Sequence, residues 1–272
     1  MTERKPNKSV KSEGGESPKV QETTAPIGLY VGTSGWAYKA WQPAFFPEKL
    51  PQKKFLHYYA SQLPAVEVNY TFRRLLTEKM IDNWLADVPE DFRFTLKANQ
   101  WITHFRRLRD ADESVQRFLS AIAPLANARR LGPVLFQLPP TMKLDLEALE
   151  HVLSILPRAL RSAWEFRHKS WFTDETYGVL EKYNAALCSV DREEGMDPLA
   201  QTAPFNYFRF RRESYNEEQK EQLVSVVQEQ LSSGREVFAF FKHEESPDSA
   251  LNAVEFLNRF RGNDRTRVAI TA

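Results

Sequence analysis

Charged side chains alternate with large apolar side chains in several short stretches of this sequence. In AWEFR, Glu165 and Arg167 alternate with Trp164 and Phe166, so a β-strand here would send the charges to one face and the rings to the other. A carboxylate in such a position can act as a general acid or base, and a guanidinium beside it can hold an anion. The same alternation in further stretches identifies Glu67, Asn69, Lys97, Gln137, Asp191 and Arg209.

The elements that would position these residues are short strands separated by amphipathic, helix-like segments. The strand-like segments are 27–34, 65–69, 92–98, 134–138, 162–167, 186–191, 206–211 and 236–241. Eight strand–helix repeats predict a parallel sheet, and about 245 residues for them favour a closed barrel over an open doubly wound sheet. No glycine-rich G-x-G-x-x-G or P-loop motif follows a strand. We therefore predict an α/β fold, a single-domain (β/α)8 TIM barrel over residues 27–272. Its weakest unit is the sixth, because little chain separates Asp191 from Asn206.

Strand parity predicts where the polar side chains point. If the apolar residues of each strand pack against the outer helices, the alternating polar residues face the barrel mouth at the carboxyl ends of the strands, where TIM-barrel active sites lie. The residues expected to converge there are Glu67, Lys97, Gln137, Glu165, Arg167, Asp191 and Arg209. A purely structural ion network is the alternative. A ligand site is favoured because such networks stabilise little compared with apolar packing of the same volume.

The loops after the strands are aromatic and basic. The aromatic residues are Trp36, Tyr38, Trp41, Trp101 and Trp171, which could stack on a sugar or a base or could cover the barrel. The basic residues are Arg73, Arg74, Arg106, Arg107, Arg109, His168, Lys169, Arg211, Arg212, Lys242 and His243. This basic rim indicates contact with phosphate or nucleic acid, and the alternative is a solvated surface.

Composition restricts the remaining possibilities. Residues 1–26 have hardly any large apolar side chain, which predicts a disordered N-terminal tail. There are 37 basic and 36 acidic residues, so no overall charge directs the protein to nucleic acid or to a membrane. Neither a membrane-spanning apolar run nor a secretory signal is present, and we expect a cytoplasmic protein. The single cysteine, Cys188, is expected to be a small core residue.

Several motifs together resemble a known family. GTSGWAYKAW, VEVNYTF, FTLKANQWITH, LGPVLFQLPP, AWEFRHKSW, the strand ending at Asp191 and a late ALNA are similar, in this order, to the YecE-like family, the domain of unknown function 72. The resemblance runs from about Ile27 to about Phe260 and implies a TIM-barrel fold and a site rather than a reaction. The matching residues are Trp36, Glu67, Asn69, Phe72, Lys97, His104, Gln137, Pro139, Glu165, Arg167, Trp171, Asp191 and Arg209. The chain departs from the family pattern, each time towards positive charge, around Arg73, Arg211, Arg212, Lys242 and His243.

These observations predict an enzyme of hydrolase or lyase type that acts on an anionic, phosphate- or sugar-containing small molecule at the barrel mouth. The candidate catalytic residues are Glu67, Lys97, Glu165 and Asp191, with Glu67 or Glu165 as general acid or base. The candidate substrate-binding residues are Trp36, Asn69, His104, Gln137, Arg167, Trp171 and Arg209. No cofactor is expected.

Two alternatives to this enzyme remain open. The first is a non-catalytic module that binds nucleic acid or another anion through the basic rim and the aromatic loops. The second is a metal-dependent isomerase or nuclease that takes its ligands from Glu67, His104, Glu165, Asp191 and His243. No H-x-H or H-E-x-x-H spacing fixes two imidazoles on one ion, and the many cations nearby would repel it.

Overall fold

The structure is a computed structural model that describes residues 27–242 and 246–268. The predicted N-terminal tail, residues 1–26, and the basic residue His243 lie outside the described residues. Within the described residues, no helix combines the length and the apolar character needed to cross a bilayer.

Eight parallel strands form the barrel in the described part of the chain. The strands are β1 (Leu29–Thr33), β2 (Ala65–Val68), β3 (Arg93–Lys97), β4 (Leu131–Gln137), β5 (Ser162–Glu165), β6 (Ala186–Arg192), β8 (Phe205–Phe210) and β9 (Glu236–Phe241). Their hydrogen-bonded order is β1-β9-β8-β6-β5-β4-β3-β2, which makes β1 and β2 the two ends of the sheet. The predicted TIM barrel is confirmed, and each of its strands overlaps one of the segments expected from the sequence.

Helices cover the outside of the strands. They are α1 (Phe55–Gln62), α2 (Glu78–Asp87), α3 (Asp112–Asn127), α4 (Leu146–Ile155), α5 (Asp174–Lys182), α6 (Glu217–Ser232) and α7 (Asp248–Val268). Side chains that accept a backbone N–H fix the start of four of them: Thr77, Asp145, Thr173 and Asn216. No helix lies between β6 and β8, because the chain turns at once into the two-residue strand β7 (Gly195–Met196), which pairs with β6. The sixth unit is thus incomplete, as its short length indicated.

A tyrosine side chain links the two ends of the sheet. Gly32 of β1 lies so near β2 that an added Cβ would stand 1.9 Å from the carbonyl oxygen of Ala65. The hydroxyl of Tyr59, from α1, accepts the backbone N–H of Thr33 at 2.8 Å and donates to the carbonyl of Ala65 at 3.0 Å. This buried hydroxyl therefore links β1 and β2 by hydrogen bonds to their backbones, where other neighbouring strands are linked by direct backbone hydrogen bonds.

The apolar core has two layers. The outer layer packs between strands and helices and contains Val66, Phe94, Trp164 and Phe210 among many others. The inner layer fills the lumen with Ala65, Leu135, Ala163, Ala186, Cys188, Val190, Phe205, Tyr207, Phe238 and Phe240. Cys188 is a buried core residue, as expected. Because apolar side chains close the lumen, the polar side chains at the carboxyl ends of the strands form the floor of an open mouth.

Candidate active site

A buried ion cluster lies at the carboxyl ends of β2, β5 and β8. The guanidinium of Arg209 bridges two carboxylates: its Nη2 lies 2.8 Å from Oε1 of Glu67, and its Nη1 lies 2.5 Å from Oε2 of Glu165. The arginine side chain is 1% exposed and both glutamate side chains are 0% exposed. The strand parity predicted the inward direction of these three side chains correctly. We call them the Glu–Arg–Glu cluster.

Both carboxylate oxygens of Glu67 accept hydrogen bonds. Besides Arg209, it accepts hydrogen bonds from the hydroxyl of Ser34 on Oε1 and from the hydroxyl of Tyr207 on Oε2, both at 2.7 Å. Neither hydroxyl residue was among the residues expected from the sequence. Both could have been found by extending the parity rule, since Ser34 continues the inward positions of β1, and Tyr207 lies two residues before Arg209 on β8.

Glu165 is ionised at neutral pH. Burial raises the pKa of its carboxyl. The charges of Arg209 and Arg211 and a hydrogen bond from Gln137 lower the pKa by more than burial raises it, so the pKa is about 2. The Nε2 of Gln137 donates to Oε2 at 2.8 Å. Oε1 is buried without a hydrogen-bond partner, with Arg211 Nη1 3.7 Å and Arg192 Nη2 4.0 Å away. This ionisation disagrees with the expectation that a carboxyl here acts as a general acid.

Lys97 lies beside the cluster, at the end of β3. Its Nζ donates to Oε1 of Gln137 at 2.7 Å and lies 4.1 Å from the centre of the Phe72 ring. Burial, followed by the positive charge of Arg209, lowers the pKa of Lys97 to about 8. Lys97 is therefore the residue of this group that exchanges a proton near neutral pH.

An open cavity of about 450 Å³ rests on these residues. Its uncharged lining residues are Asn69, Tyr70, Phe72 and Gln137, and its cationic ones are Arg73, Arg74, Lys97, Arg167, Arg209, Arg211 and Lys242. None of the described residues that line it carries a carboxylate. Burial and the charge of Arg209 also lower the pKa of Arg211, as expected where positive charges are crowded.

His104 is not among the residues that line the cavity; it lies on a single π-helical turn, Trp101–Phe105, next to the lining residue Phe72. Its ring contacts Phe72 edge to face at 4.8 Å, and its Nδ1 is 2.9 Å from the hydroxyl of Thr103. Burial, then the charges of Lys97 and Arg167, lower the pKa of His104 to about 4, so the imidazole is neutral at pH 7. On the same turn, Trp101 and Phe105 are exposed and contact each other at 4.8 Å.

The structure does not bring Trp171 or Trp36 to the cavity. Trp171 is 0% exposed, with its ring stacked on Phe166 and its Nε1 donating to the carbonyl of Met142. Trp36 packs edge to face against Trp84 of α2. Trp171 is buried in the outer layer between strands and helices, and the partly buried Trp36 packs against that layer, so neither indole is among the residues that line the cavity.

The predicted inward direction of Asp191 is wrong. In β6, Val190 lies level with Arg209 and belongs to the lumen, whereas Asp191 lies level with the outward-facing Phe210. The Asp191 carboxylate pairs in a bidentate manner with Arg212, at 2.7 Å to Nε and 2.9 Å to Nη2. This pair lies on the helix side of the barrel, apart from the Glu–Arg–Glu cluster.

No three His, Cys, Asp or Glu side chains of the described residues are grouped so that they could hold a metal ion. Two of the ligands considered for a metal site, Glu67 and Glu165, hold Arg209 instead, and a third, Asp191, pairs with Arg212. The described residues therefore do not supply a donor set for the metal-dependent alternative.

A nearly closed barrel of eight parallel strands, with a polar cluster at the carboxyl ends of the strands, defines a TIM-barrel protein. The sequence profile of the family described as "Protein of unknown function DUF72" matches residues 30–270, and the chain belongs to this family. The resemblance to the YecE-like family is thereby confirmed.

The chain is similar to two UPF0759 proteins in sequence and to a DUF72 family protein in structure. It is 29% identical over 159 residues to the UPF0759 protein YunF of Bacillus subtilis, a match covering 55% of this chain and 54% of that protein. It is 32% identical over 145 residues to the UPF0759 protein YecE of Escherichia coli, covering 53% and 50%. The chain thus matches about half the length of these relatives. A DUF72 family protein of Thermotoga maritima, known from its crystal structure, is similar with a TM-score of 0.77 and 30% identity over 86% of this chain and 99% of that chain.

Proposed function

We propose that the protein is an enzyme of hydrolase or lyase type whose substrate carries phosphate and binds in the barrel mouth. The observation that carries the proposal is the cavity itself, whose wall combines seven arginine and lysine side chains with no carboxylate among its described residues. Such a wall attracts anions and repels cations, and paired guanidinium groups match the geometry of phosphate oxygens.

The charge balance of the mouth supports a multiply charged ligand. The two carboxylates beneath the cavity neutralise Arg209 and one further cation. Without counting Lys242, the cations Arg73, Arg74, Lys97, Arg167 and Arg211 therefore exceed the nearby negative charge by about four. A single phosphate monoester carries only about two negative charges. A substrate with two phosphate groups or a diphosphate balances the site better than a neutral sugar or a monocarboxylate.

The proposal gives different roles to the polar residues. Lys97 is the proton-transfer group, because its pKa of about 8 lies near the pH at which the protein works. Arg167 and Arg211 bind the anion and stabilise negative charge that develops on it. Glu67 and Glu165 hold the guanidinium of Arg209 in place, so they are positioning residues rather than the acid–base pair expected from the sequence.

One observation favours the nucleic-acid-binding alternative. The aromatic side chains of Tyr70, Trp101 and Phe105 are 43%, 55% and 60% exposed beside the cationic mouth. Exposed rings next to cations are the features on which single strands stack. This alternative predicts that Trp101→Ala weakens the binding of a labelled oligonucleotide, whereas the small-molecule enzyme predicts no effect of Trp101→Ala on phosphate binding.

A thermal-shift titration tests the proposed function. The ligands are orthophosphate, pyrophosphate, a sugar bisphosphate and the corresponding neutral sugar. A ligand at 100 times its dissociation constant stabilises the fold by about 2.7 kcal/mol. We expect stabilisation by the phosphorylated compounds only, a smaller shift in Arg211→Gln, and an unchanged shift in the control Arg117→Gln, whose side chain is 72% exposed on α3. Equal stabilisation by the neutral sugar, or none by any phosphate, would overturn the proposal.

A further inference from the structure

The primary amine of Lys97 is accessible from the mouth cavity. It lies on the wall of the mouth cavity, with one N–H directed to Oε1 of Gln137 and with the Phe72 ring on its other side. Among the described residues, no carboxylate lies within ion-pair distance of Nζ, because Glu67 and Glu165 are held by Arg209. The amine therefore lacks the ion pair that would hold a proton on it.

The surroundings of Lys97 favour the neutral form of the amine. Partial burial and then the charge of Arg209 act against the ammonium form, and together they outweigh the charges of Glu67 and Glu165, which favour it. The pKa of Lys97 therefore falls from 10.5 to about 8. At pH 8 the neutral fraction is roughly 150-fold larger than for a lysine with an ordinary pKa. A desolvated lysine next to another cation is the arrangement that activates an amine for attack on a carbonyl group.

We propose that Lys97 forms an imine with a carbonyl group of a phosphate-bearing substrate, which makes the protein a lyase; this inference rests on the proposed function and deepens it. The amine nitrogen bonds to the carbonyl carbon, and the carbonyl oxygen takes one proton from the nitrogen. The carbon–oxygen bond then breaks, and the oxygen leaves as water with the second amine proton. Solvent protonates the imine nitrogen, and the iminium accepts the electron pair of a bond to the carbon next to the imine carbon, so that this bond breaks and the departing fragment leaves without the pair. The enamine that remains takes a proton from solvent on that carbon, and water hydrolyses the imine to release the carbonyl product and free Lys97.

The cationic wall complements this chemistry. Arg167 and Arg211 would hold the phosphate while the carbonyl reaches Nζ, and Gln137 fixes the amine by accepting one of its hydrogens. The cationic wall also keeps the Lys97 amine in its neutral, nucleophilic form, because a nearby carboxylate would favour the charged, unreactive ammonium. The substrate class is thus an aldehyde or ketone that carries phosphate.

Borohydride trapping with pyridoxal 5′-phosphate tests the inference on the wild-type protein. This probe joins an aldehyde to a phosphate, and borohydride delivers a hydride to the imine carbon, which fixes the probe on the lysine for peptide mapping. We expect labelling of Lys97 at pH 8 at least 10-fold faster than labelling of the exposed Lys53, protection by pyrophosphate, and slower labelling by pyridoxal, which lacks the phosphate. Lys97→Arg keeps the charge and should lose the label.

The outcomes separate this inference from the proposed function. If pyrophosphate stabilises the protein but Lys97 is labelled no faster than Lys53, the imine is wrong and the phosphate site stands. If pyridoxal labels Lys97 as fast as the phosphorylated probe, the amine is reactive but the substrate class is wrong. If neither phosphate binding nor labelling of Lys97 is observed, both proposals fail.

Discussion

Replacing Arg209 with methionine should destabilise the barrel by about 3–5 kcal/mol at pH 7.5, because it leaves the buried carboxylates of Glu67 and Glu165 without their cation. The structure supports this magnitude in a second way. Glu165 has a pKa of about 2 in place of its usual 4.5, and a shift of that size corresponds to about 3 kcal/mol. Urea unfolding followed by circular dichroism measures the difference between wild type and variant.

The stability difference between the wild type and Arg209→Met should depend on pH, and the direction follows from the pKa of Glu165. In the wild type, the depressed pKa of Glu165 contributes stability above pH 4.5 that is lost as the pH falls towards about 2. Without Arg209, burial would raise the pKa of Glu165, so the variant should regain stability as the pH falls and the carboxyl is protonated. The difference in the free energy of unfolding between the wild type and Arg209→Met should therefore become smaller as the pH falls from 7.5 to 5.

Two further variants sharpen the Arg209 experiment. Adding Glu165→Gln to Arg209→Met should recover part of the lost stability, since it removes one unpaired charge while Gln137 can still donate to the new side chain. Arg109→Gln breaks an ion pair with Asp145 in which the arginine side chain is 76% exposed, and should change stability little. An Arg209→Met protein as stable as the wild type at pH 7.5, or a gap that is independent of pH, would refute the reasoning.

Other parts of the structure yield further predictions. Tyr59→Phe removes the hydroxyl between Thr33 and Ala65 and should lower the free energy of unfolding in urea by about 1–3 kcal/mol; an unchanged free energy would show that this hydroxyl does not stabilise the contact between β1 and β2. Sulfate keeps the same charge from pH 7 to pH 9, so the affinity of the wild type for sulfate should fall as Lys97 loses its proton around pH 8. In Lys97→Met the sulfate affinity should not change over this pH range. A fall in both proteins would assign the titration to another group. Trp171→Ala should lower the free energy of unfolding by about 3–5 kcal/mol but leave the sulfate affinity of the folded protein unchanged, because the indole packs in the outer layer. A loss of sulfate affinity would show that Trp171 contributes to the binding site.

The sequence predicted the barrel because its strands are regular and their apolar residues alternate cleanly. Parity placed Glu67, Gln137 and Arg209 correctly for the same reason: each polar residue has large apolar neighbours that face the helices. In β6 the pattern is ambiguous, because Leu187, Cys188 and Val190 are apolar on both faces. Parity therefore failed for Asp191, the residue that follows them.

The chemistry of the site was less predictable than its location. Sequence indicates that carboxylates and cations converge, but the ionisation of Glu165 depends on a 2.5 Å contact with Arg209, and no spacing along the chain encodes that distance. Aromatic loop residues were ambiguous for a related reason. Trp171 and Trp101 both follow strand ends, yet the first is buried against Phe166 and the second is exposed, and this difference arises only from tertiary packing.

The measurement that tests the central claim most directly is isothermal titration calorimetry with pyrophosphate, at low and at physiological ionic strength, on the wild type, Arg167→Gln and the control Arg117→Gln. If the cationic mouth is a phosphate site, the affinity for pyrophosphate should fall as the salt concentration rises. Arg167→Gln should bind pyrophosphate about 10-fold more weakly, because a charge-assisted hydrogen bond is removed. Arg117→Gln should bind it as tightly as the wild type. Absence of binding to the wild type, or equal affinity in Arg167→Gln and the wild type, would contradict the account.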